Sequence, residues 1–380
     1  MDTFSKARRI ITIMEKPKKK VLIVAGGTGG HIFPALAFGR WILESGEAES
    51  VVYMSGSRPL EAEIYASYSV EPYCLALSGS PLGGTLWRNL GRCAGLFRSF
   101  VDTKIFLRKE RPDVCFLFGS YVSLAPLLWC KYLGIPLIAH EQNACAGKTT
   151  KLASHMGVSV ASGWSECRGV NNAFHVGIPV RSFKRLSRQE SASVLGVKSE
   201  DRDLVIGIIG GSLGSAQLET LITKISIDTI KTAKTAELRL VFVVLGDKNG
   251  ASFIPFGSEV KYVGRRWDMA PFYSLCDAVV CRAGASTLAE VATFGIPALT
   301  IPWSGAADDH QKANARVFSS MTGNPAWMEN EGSLDEMFAD LLSRALSART
   351  RRVLENAGDL VNNDASIALW MFAEEKFSLL

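Results

Sequence analysis

Short, continuously apolar runs alternate along this chain with longer amphipathic stretches, and this alternation constrains the fold more than any other feature. Eight such runs are present: KVLIVA, ESVVYM, DVCFLF, IPLIAH, DLVIGIIG, LRLVFVVLG, DAVVCRAG and IPALTIPW. Strands that are apolar on both faces and separated by helices are typical of parallel sheets with helices on both sides. We therefore predict an α/β fold built on parallel sheets.

Two of these runs are followed by a glycine-rich turn and the start of a helix. The turns are GGTGG at 26–30 and GGSLG at 210–214. Their repetition predicts two Rossmann-like domains, and a length of 380 residues agrees with two domains. We place a basic extension at 1–20, an N-terminal domain at 21–178 and a C-terminal domain at 179–380, and leave open whether the last helix returns to the N-terminal domain.

Composition excludes several classes of protein. With 47% hydrophobic and 21% charged residues the chain is not globally disordered, and a net charge of +5 is too small to indicate a nucleic-acid partner. The eight cysteines show no CxxC spacing, and several lie in apolar runs, which favours reduced thiols in the cytosol. No apolar stretch has the length of a membrane span.

The glycine turns are suited to anion binding. Bare backbone lets N–H groups approach an anion closely, and a helix N-terminus adds a favourable dipole. A dinucleotide site is disfavoured, because the spacing is not GxGxxG and the next strand ends in Met54 and Ser55 without an acid for a ribose. A tight turn that binds nothing remains the alternative.

His31 follows the first turn directly and begins the helix, with Pro34 in its first turn. The helix dipole disfavours a charged imidazole there. A neutral imidazole can accept a proton, which predicts a general base. The alternative is a histidine that caps its own turn.

Further motifs make the chain recognisable. They are GGTGGHIFPALA (26–37), HEQN (140–143), GIPVR (177–181), GGSLGS (210–215), CRAGASTLAEVATFGIPALTIPW (281–303) and DDHQKANA (308–315). In this order, from about residue 20 onward, the set resembles the MurG family of bacterial peptidoglycan glycosyltransferases. The resemblance implies a GT-B fold, with two Rossmann-like domains facing across a cleft. It also implies transfer of N-acetylglucosamine from UDP-N-acetylglucosamine to lipid I, which makes lipid II for the cell wall and so supports cell shape and division.

The resemblance also implies a set of site residues. The nucleotide sugar would contact the C-terminal domain through Arg181, Ser212, Arg266, Ala285, Ser286, Thr287, Leu288, Ala289, Glu290 and Gln311. The donor sugar would be reached from the N-terminal domain by Thr28, Gly29, Gly30 and Asn143. Structural alternatives exist for several: a capping box for Thr287 and Glu290, a helix start for Gln311, a helix cap for Ser212, a surface salt bridge for Arg181 and a turn for Asn143.

The implied chemistry is direct displacement at the anomeric carbon with inversion, in which a base takes the proton of the acceptor hydroxyl. His31 is the first candidate for this base and Glu141 the second. The DRD stretch at 201–203 precedes a strand, at the wrong end for a ligand site, and we interpret it as a solvated loop. We therefore predict catalysis without a metal or cofactor, with turn amides, helix dipoles and Arg181 stabilising the leaving diphosphate.

A basic amphipathic segment at 86–111 predicts contact with an anionic membrane surface. Its apolar residues are Leu86, Trp87, Leu90, Leu96, Phe97, Phe100, Ile105 and Phe106. Such a segment can lie in a bilayer interface, although a helix that buries this stripe in its own domain is the alternative. We expect a peripheral protein on the cytoplasmic face of the bacterial inner membrane, with residues 1–20 either assisting or disordered.

Three segments depart from the family pattern. FGSYVSLAP (118–126) has Ser120 and Leu124 where the family has glycines, and SGSPLGG (78–84) lacks the family's arginine. In GRRWDM (264–269), polar residues stand where the family has an apolar pair. The first two leave acceptor recognition open. Rival functions are a diacylglycerol glycosyltransferase and a sugar-nucleotide binding protein without activity; a nicotinamide dehydrogenase is opposed by the missing acid.

Overall fold

The computed structural model describes residues 19–79, 86–211, 215–232, 238–248, 258–306, 309–329, 331–352, 358–360 and 362–377, with backbone only at 86–93, 230–232, 350–352 and 358–360. Most of the basic extension predicted at 1–20 lies outside these ranges, as does Ser212.

The N-terminal sheet has seven strands in the order β3-β2-β1-β4-β5-β6-β7, and every neighbouring pair is parallel. The strands are β1 (Lys19–Val24), β2 (Ala48–Ser55), β3 (Tyr73–Cys74), β4 (Val114–Leu117), β5 (Leu137–Glu141), β6 (Ser159–Ser162) and β7 (Phe174–His175). The helices are α1 (Gly29–Glu44), α2 (Pro59–Ser67), α3 (Leu86–Glu110), α4 (Leu124–Leu133) and α5 (Lys148–His155), and a 3-10 turn (Tyr121–Ser123) precedes α4.

The second sheet has five parallel strands in the order β11-β10-β9-β12-β13. Its strands are β9 (Asp203–Ile209), β10 (Arg239–Leu245), β11 (Glu259–Tyr262), β12 (Ala278–Cys281) and β13 (Ala298–Thr300), while β8 (Phe183–Arg185) and β14 (Gly358–Leu360) form a separate antiparallel pair. The helices are α6 (Arg188–Leu195), α7 (Ala216–Ile222), α8 (Ile227–Thr232), α9 (Ala270–Leu275), α10 (Ala285–Phe294), α11 (His310–Thr322), α12 (Leu334–Arg352) and α13 (Asp364–Phe377).

Both sheets are parallel and their central strands are buried on both faces, which confirms the predicted α/β fold. All eight apolar runs form strands, because their side chains pack into separate clusters above and below each sheet. The last helix, α13, packs Leu369, Trp370 and Phe372 into a cluster of the N-terminal domain. The Trp370 indole also donates a hydrogen bond to Glu47 at 3.2 Å. The chain therefore crosses back to its first domain before it ends.

The strand orders place the first glycine turn, and Gly210 and Gly211 of the second, where ligands bind. In each sheet the order reverses beside a central strand, β1 in the first and β9 in the second. GGTGG follows β1 and GGSLG follows β9. The crevice beyond the carboxyl ends of strands at such a reversal is the general ligand site of open α/β sheets.

The DRD stretch lies at the opposite, amino end of β9, but its interpretation as a solvated loop is wrong for Asp203. Asp203 is the first residue of β9 and is fully buried. It is paired in register with Arg239 of β10, whose guanidinium contacts its two oxygens at 2.7 and 2.8 Å. A buried carboxylate is tolerated there because it is paired and hydrogen-bonded.

Helix α9 approaches β9 closely at Gly207, and a substitution there tests this packing. An added Cβ would lie 2.6 Å from Cys276 Sγ and 2.8 Å from Phe272 Cζ. We expect Gly207→Ala to lower the free energy of unfolding by about 1–3 kcal/mol through overpacking, measured by chemical denaturation.

The matched control is Gly207→Ala combined with Cys276→Ala, which removes the nearest clashing atom. In a double-mutant cycle the second substitution should recover part of the loss, with a coupling of at least about 0.5 kcal/mol. Strictly additive losses would contradict this account of the packing.

Candidate functional site

The first glycine turn is held from below by a buried carboxylate. Gly27 has φ +86°, a conformation that favours glycine, and its amide donates to Glu61 Oε1 at 2.5 Å. Glu61 is buried and also accepts from the Tyr121 hydroxyl at 2.6 Å. The next residue, Thr28, is exposed and precedes α1. The amides of Gly29 and Gly30 then begin the helix, where no residue of the helix can accept from them.

Sequence reasoning missed Glu61. It occupies the third position of α2 and closes the start of that helix, since its Oε2 accepts from the amide of Arg58 at 3.4 Å. The combination of Pro59 and Glu61 was a readable helix-start signal. Its contact with a turn 34 positions earlier in the chain had no local signal.

His31 lies in the first turn of α1 and is half-buried. Its Nδ1 and Gln142 Oε1 are 2.8 Å apart. Gly119, which follows β4 with φ +86°, lies against the ring, since a Cβ there would be 3.4 Å from the imidazole. The imidazole is therefore positioned between the loops that follow β1, β4 and β5.

A second histidine, His140, is connected to His31 through Gln142. His140 is fully buried on β5, and its Nε2 lies 2.9 Å from the carbonyl oxygen of Gly177. Gln142 Nε2 lies 2.9 Å from His140 Nδ1 and donates to the His140 carbonyl at 3.0 Å. Burial lowers the pKa of His140 to about 4, so this ring is neutral at physiological pH.

Glu141, the second candidate base, is fully engaged by its own loop. Its Oε1 accepts from the Asn143 amide at 3.1 Å and side chain at 3.0 Å. Its Oε2 accepts from the Gly147 amide at 3.0 Å and the Thr150 hydroxyl at 2.6 Å. Four hydrogen bonds to a buried carboxylate hold the loop after β5 in one shape.

The two domains touch at the starts of α1 and α10. The Ser286 hydroxyl donates to the carbonyl oxygen of Gly30 at 3.1 Å. Both helices therefore direct their N-termini, the positive ends of their dipoles, toward one interdomain contact. Such a pair of helix starts is suited to a diphosphate held between the domains.

Asn314 joins the domains beside this contact. It is fully buried on α11, and its amide nitrogen donates to Asn143 Oδ1 at 3.1 Å and to the Ala283 carbonyl at 3.0 Å. Its oxygen accepts from the Ala144 amide at 2.8 Å. Asn314 lies within the motif DDHQKANA, but nothing in the sequence distinguished it from its neighbours.

Arg181 and Glu290 form a buried ion pair across the same region. The two side chains are 2.9 Å apart, and Arg181 also donates to the Tyr68 hydroxyl and the Trp267 carbonyl, both at 2.6 Å. Its guanidinium stacks 4.2 Å from the Phe33 ring centroid. Burial alone would lower the pKa of Arg181, but Glu290 and Tyr68 outweigh it and raise that pKa. The surface salt bridge considered for Arg181 is therefore wrong.

Glu290 is not part of a capping box with Thr287. Helix α10 begins after Gly284, and its cap has no side-chain hydrogen bond. The second oxygen of Glu290 instead accepts from the Tyr273 hydroxyl at 2.9 Å. Each carboxylate oxygen retains a further lone pair for another donor.

The other predicted contacts occupy the C-terminal domain. Gln311 accepts from the Trp303 amide at 2.9 Å, and Arg266 donates to the carbonyls of Val263 at 3.2 Å and Val194 at 3.1 Å. Ala285 starts α10 and is buried like Ser286, and Thr287 and Ala289 are half-buried. Leu288 is fully buried in the domain core, so its side chain is not available to a ligand.

No group of three or more histidine, cysteine, aspartate or glutamate side chains that could hold a metal ion occurs in the described part of the chain. Within the same ranges, no helix combines the length and the apolar character needed to cross a bilayer.

Known proteins match this chain along most of its length. The sequence model of the glycosyltransferase family 28 N-terminal domain matches residues 21–162, and that of its C-terminal domain matches residues 205–363. The UDP-N-acetylglucosamine–N-acetylmuramyl-(pentapeptide) pyrophosphoryl-undecaprenol N-acetylglucosamine transferase of Shewanella loihica is 32% identical over 358 residues, covering 92% of this chain and 93% of the relative. The Carboxydothermus hydrogenoformans enzyme of the same name is 29% identical, covering 91% and 94%.

Solved structures share the fold. The crystal structure of Acinetobacter baumannii MurG has a TM-score of 0.64 at 24% identity and covers 94% of this chain and 100% of that one. The Streptomyces glycosyltransferase SsfS6 complexed with thymidine diphosphate has a TM-score of 0.54 at 13% identity, covering 93% and 99%. At these identities the likeness establishes the architecture alone.

The buried, neutral state of His140 predicts a pH dependence of stability. Its pKa is about 4 in the folded chain and about 6.5 when unperturbed. Between these values the unfolded chain binds a proton that the folded chain does not. The free energy of unfolding therefore falls as the pH drops through this window, by about 3 kcal/mol for this group.

Chemical denaturation of the wild type and His140→Phe between pH 7 and pH 4 measures the contribution of His140 to the pH dependence of the free energy of unfolding. The variant should lose less stability than the wild type over that range, because it lacks the titrating ring. His155→Phe, at an exposed histidine, is the matched control and should follow the wild type. Parallel curves for the wild type and His140→Phe would contradict the assignment.

Proposed function

This chain belongs to the MurG family of glycosyltransferases, and on that premise we propose that it transfers N-acetylglucosamine from UDP-N-acetylglucosamine to the MurNAc 4-hydroxyl of lipid I. The curated relatives are named for an N-acetylglucosamine transfer to this class of undecaprenol-linked acceptor. The observation that carries the proposal is the meeting of the α1 and α10 N-termini at the Ser286–Gly30 hydrogen bond, next to His31. The product is lipid II, a precursor of peptidoglycan.

In the proposed reaction His31 takes the proton of the acceptor hydroxyl as its oxygen attacks the anomeric carbon. The bond between that carbon and the UDP oxygen breaks on the opposite face, so the configuration inverts. UDP departs with the bonding electron pair. The helix-start amides supply positive potential where the diphosphate charge increases, whereas the predicted contribution of Arg181 is reduced because Glu290 already balances its charge. The proposed reaction requires no metal and no cofactor.

His31 is the better candidate for the base than Glu141. A general base needs an unshared electron pair directed at the acceptor hydroxyl. Glu141 is buried and its two oxygens accept four hydrogen bonds from the loop after β5. We assign Glu141 the task of holding that loop, and with it Asn143, at the interdomain contact.

Donor binding requires the interdomain contact to open. The Ser286 hydroxyl occupies the space beside Gly30, and Glu290 is engaged by Arg181 and Tyr273. A sugar nucleotide that enters between the domains must replace the Ser286–Gly30 bond and share the lone pairs of Glu290.

The outer surface of α3 supports docking on an anionic membrane. Phe97, Val101 and Ile105 are spaced by four residues and are exposed, Phe97 to 74%. Arg98 and Arg108 are exposed on the same helix, and the neighbouring helix α4 presents Tyr132, 78% exposed. Apolar side chains flanked by basic ones can insert at the headgroup level. We propose that this surface docks on the cytoplasmic leaflet of the inner membrane.

The predicted apolar stripe is divided between two faces of α3. Phe106 is buried against the sheet, Leu96 and Phe100 are half-buried, and the side chains of Leu86, Trp87 and Leu90 lie outside the described residues. The core alternative therefore holds for Phe106, while Phe97 and Ile105 remain available to a membrane.

Transfer assays with labelled UDP-N-acetylglucosamine test the function. We expect label in lipid II when lipid I is offered and none with diacylglycerol. His31→Ala should lower kcat by about 10²–10⁴-fold, because the base is lost. Its affinity for UDP-N-acetylglucosamine, measured by calorimetry, should remain within about twofold of the wild type.

His155→Ala, at an exposed histidine on α5, is the matched control and should keep the wild-type kcat. Product with diacylglycerol alone would favour the other lipid glycosyltransferase. Nucleotide binding without transfer to either acceptor would favour a binding protein. An unchanged kcat in His31→Ala would remove the proposed base.

Vesicle sedimentation tests the membrane surface. The double variant Phe97→Ser and Ile105→Ser should bind vesicles containing phosphatidylglycerol at least about tenfold more weakly than the wild type. It lacks two apolar side chains whose transfer from water into the bilayer interface favours binding. Met321→Ser, at a methionine 60% exposed on α11, is the matched control and should bind normally. Equal binding by all three proteins would exclude this surface.

A further inference from the structure

A chain of hydrogen-bonding groups runs from the candidate base into the protein interior. His31 Nδ1 contacts Gln142 Oε1 at 2.8 Å, Gln142 Nε2 contacts His140 Nδ1 at 2.9 Å, and His140 Nε2 contacts the Gly177 carbonyl at 2.9 Å. Gln142 and His140 are almost completely buried. The motif HEQN supplies both, but the proposed mechanism has so far used neither.

The Gly177 carbonyl, at the inner end of this series of hydrogen bonds, determines which ring nitrogen of His140 is protonated. A carbonyl oxygen can only accept, so His140 Nε2 must carry a hydrogen and donate it to Gly177. Because burial keeps this ring neutral, Nδ1 carries a lone pair. His140 therefore presents an acceptor toward Gln142.

That acceptor orients the Gln142 amide. One end of the amide faces both His140 Nδ1 at 2.9 Å and the His140 carbonyl oxygen at 3.0 Å, and both of these atoms are acceptors. Only the NH₂ group can donate to both. Turning the amide over would lose two hydrogen bonds and bring three acceptors together in a buried site. The oxygen of Gln142 must therefore face His31.

We propose that His140 and Gln142 are positioning residues that hold His31 as its Nδ1–H tautomer, which leaves Nε2 as the proton acceptor. This inference rests on the proposed function, in which His31 takes the proton of the acceptor hydroxyl. The Gln142 oxygen accepts from His31 Nδ1–H, so the neutral ring has its lone pair on Nε2. The Gly177 carbonyl, at the start of the motif GIPVR, is the acceptor at which this series of hydrogen bonds ends.

An amide at position 142 also avoids an effect that a carboxylate would have on the protonation of His31. A carboxylate at the position of Gln142 would orient the ring equally well but would favour the imidazolium form. Among the described residues, the ionisable groups near these hydrogen-bonded side chains include His140 itself, Glu141 on the same strand and Glu61 below the glycine turn. Glu141 faces its own loop, and Glu61 faces Gly27 and Tyr121. A neutral partner therefore sets the tautomer without adding a charge beside His31.

Histidine tautomers can be read directly by NMR of the full chain labelled with ¹⁵N-histidine. Five histidines give few signals, and His31→Ala assigns the relevant one. Long-range ¹H–¹⁵N correlations should show Nε2 of His31 without a proton in the wild type above the pH at which the ring becomes neutral. In Gln142→Met and His140→Phe this preference should be lost, with Nε2–H populated.

Kinetics provide the second readout. Gln142→Met and His140→Phe should lower kcat about a hundredfold or more, since a wrongly protonated catalytic histidine is a poor base. The KM for UDP-N-acetylglucosamine should change less than about twofold. Gln142→Glu should shift the acidic limb of the kcat profile upward by about one pH unit or more, with activity recovering at higher pH. Gln189→Met, an exposed glutamine of α6, is the control and should match the wild type.

These readouts separate failure of the inference from failure of the function. A wild-type His31 protonated on Nε2 would overturn the inference, as would an unchanged tautomer in both Gln142→Met and His140→Phe. An unshifted acidic limb in Gln142→Glu, with the other two variants at wild-type kcat, would also overturn it. A wild type with the expected tautomer but no transfer to lipid I would instead overturn the proposed function.

Discussion

Two parallel sheets, whose central strands are buried on both faces, leave the carboxyl ends of their strands as the place where this molecule can meet a ligand. Because every strand of a parallel sheet points the same way, the loops after β1, β4 and β5 converge at one edge, and those after β9, β12 and β13 at another. The Ser286–Gly30 hydrogen bond brings these edges together. The first glycine turn, a helix-start imidazole and two helix dipoles thus share one small region.

Buried polar groups hold the two edges together. Arg181 is compensated by Glu290, Tyr68, a backbone carbonyl and the Phe33 ring. Asn314 satisfies donors and acceptors from both domains. Buried charges and amides are costly unless paired. If these groups lost their partners while remaining shielded from water, the desolvation penalty would no longer be offset. The interdomain contact therefore favours one arrangement until a polar ligand replaces it.

Local patterns predicted the strands well and the partners of site residues poorly. Eight apolar runs became strands because burial on both faces requires such runs, whereas the two-residue edge strands β3 and β7 are exposed and have no such pattern. His31 could be singled out from its place after a glycine turn. Glu61, Gln142 and Asn314 could not be assigned their partners, because these contacts join distant parts of the chain. Asp203 looked like a loop residue because its partner, Arg239, is on another strand.

A crystal structure of the full chain with bound UDP-N-acetylglucosamine tests the central claim most directly. We expect the diphosphate between the N-termini of α1 and α10, the uracil between residues 264–269 and 283–290, and the His31 imidazole on the anomeric face opposite UDP. The Ser286–Gly30 bond should be replaced by contacts to the donor. A nucleotide bound elsewhere, or an imidazole turned away from the anomeric carbon with the donor in place, would contradict it.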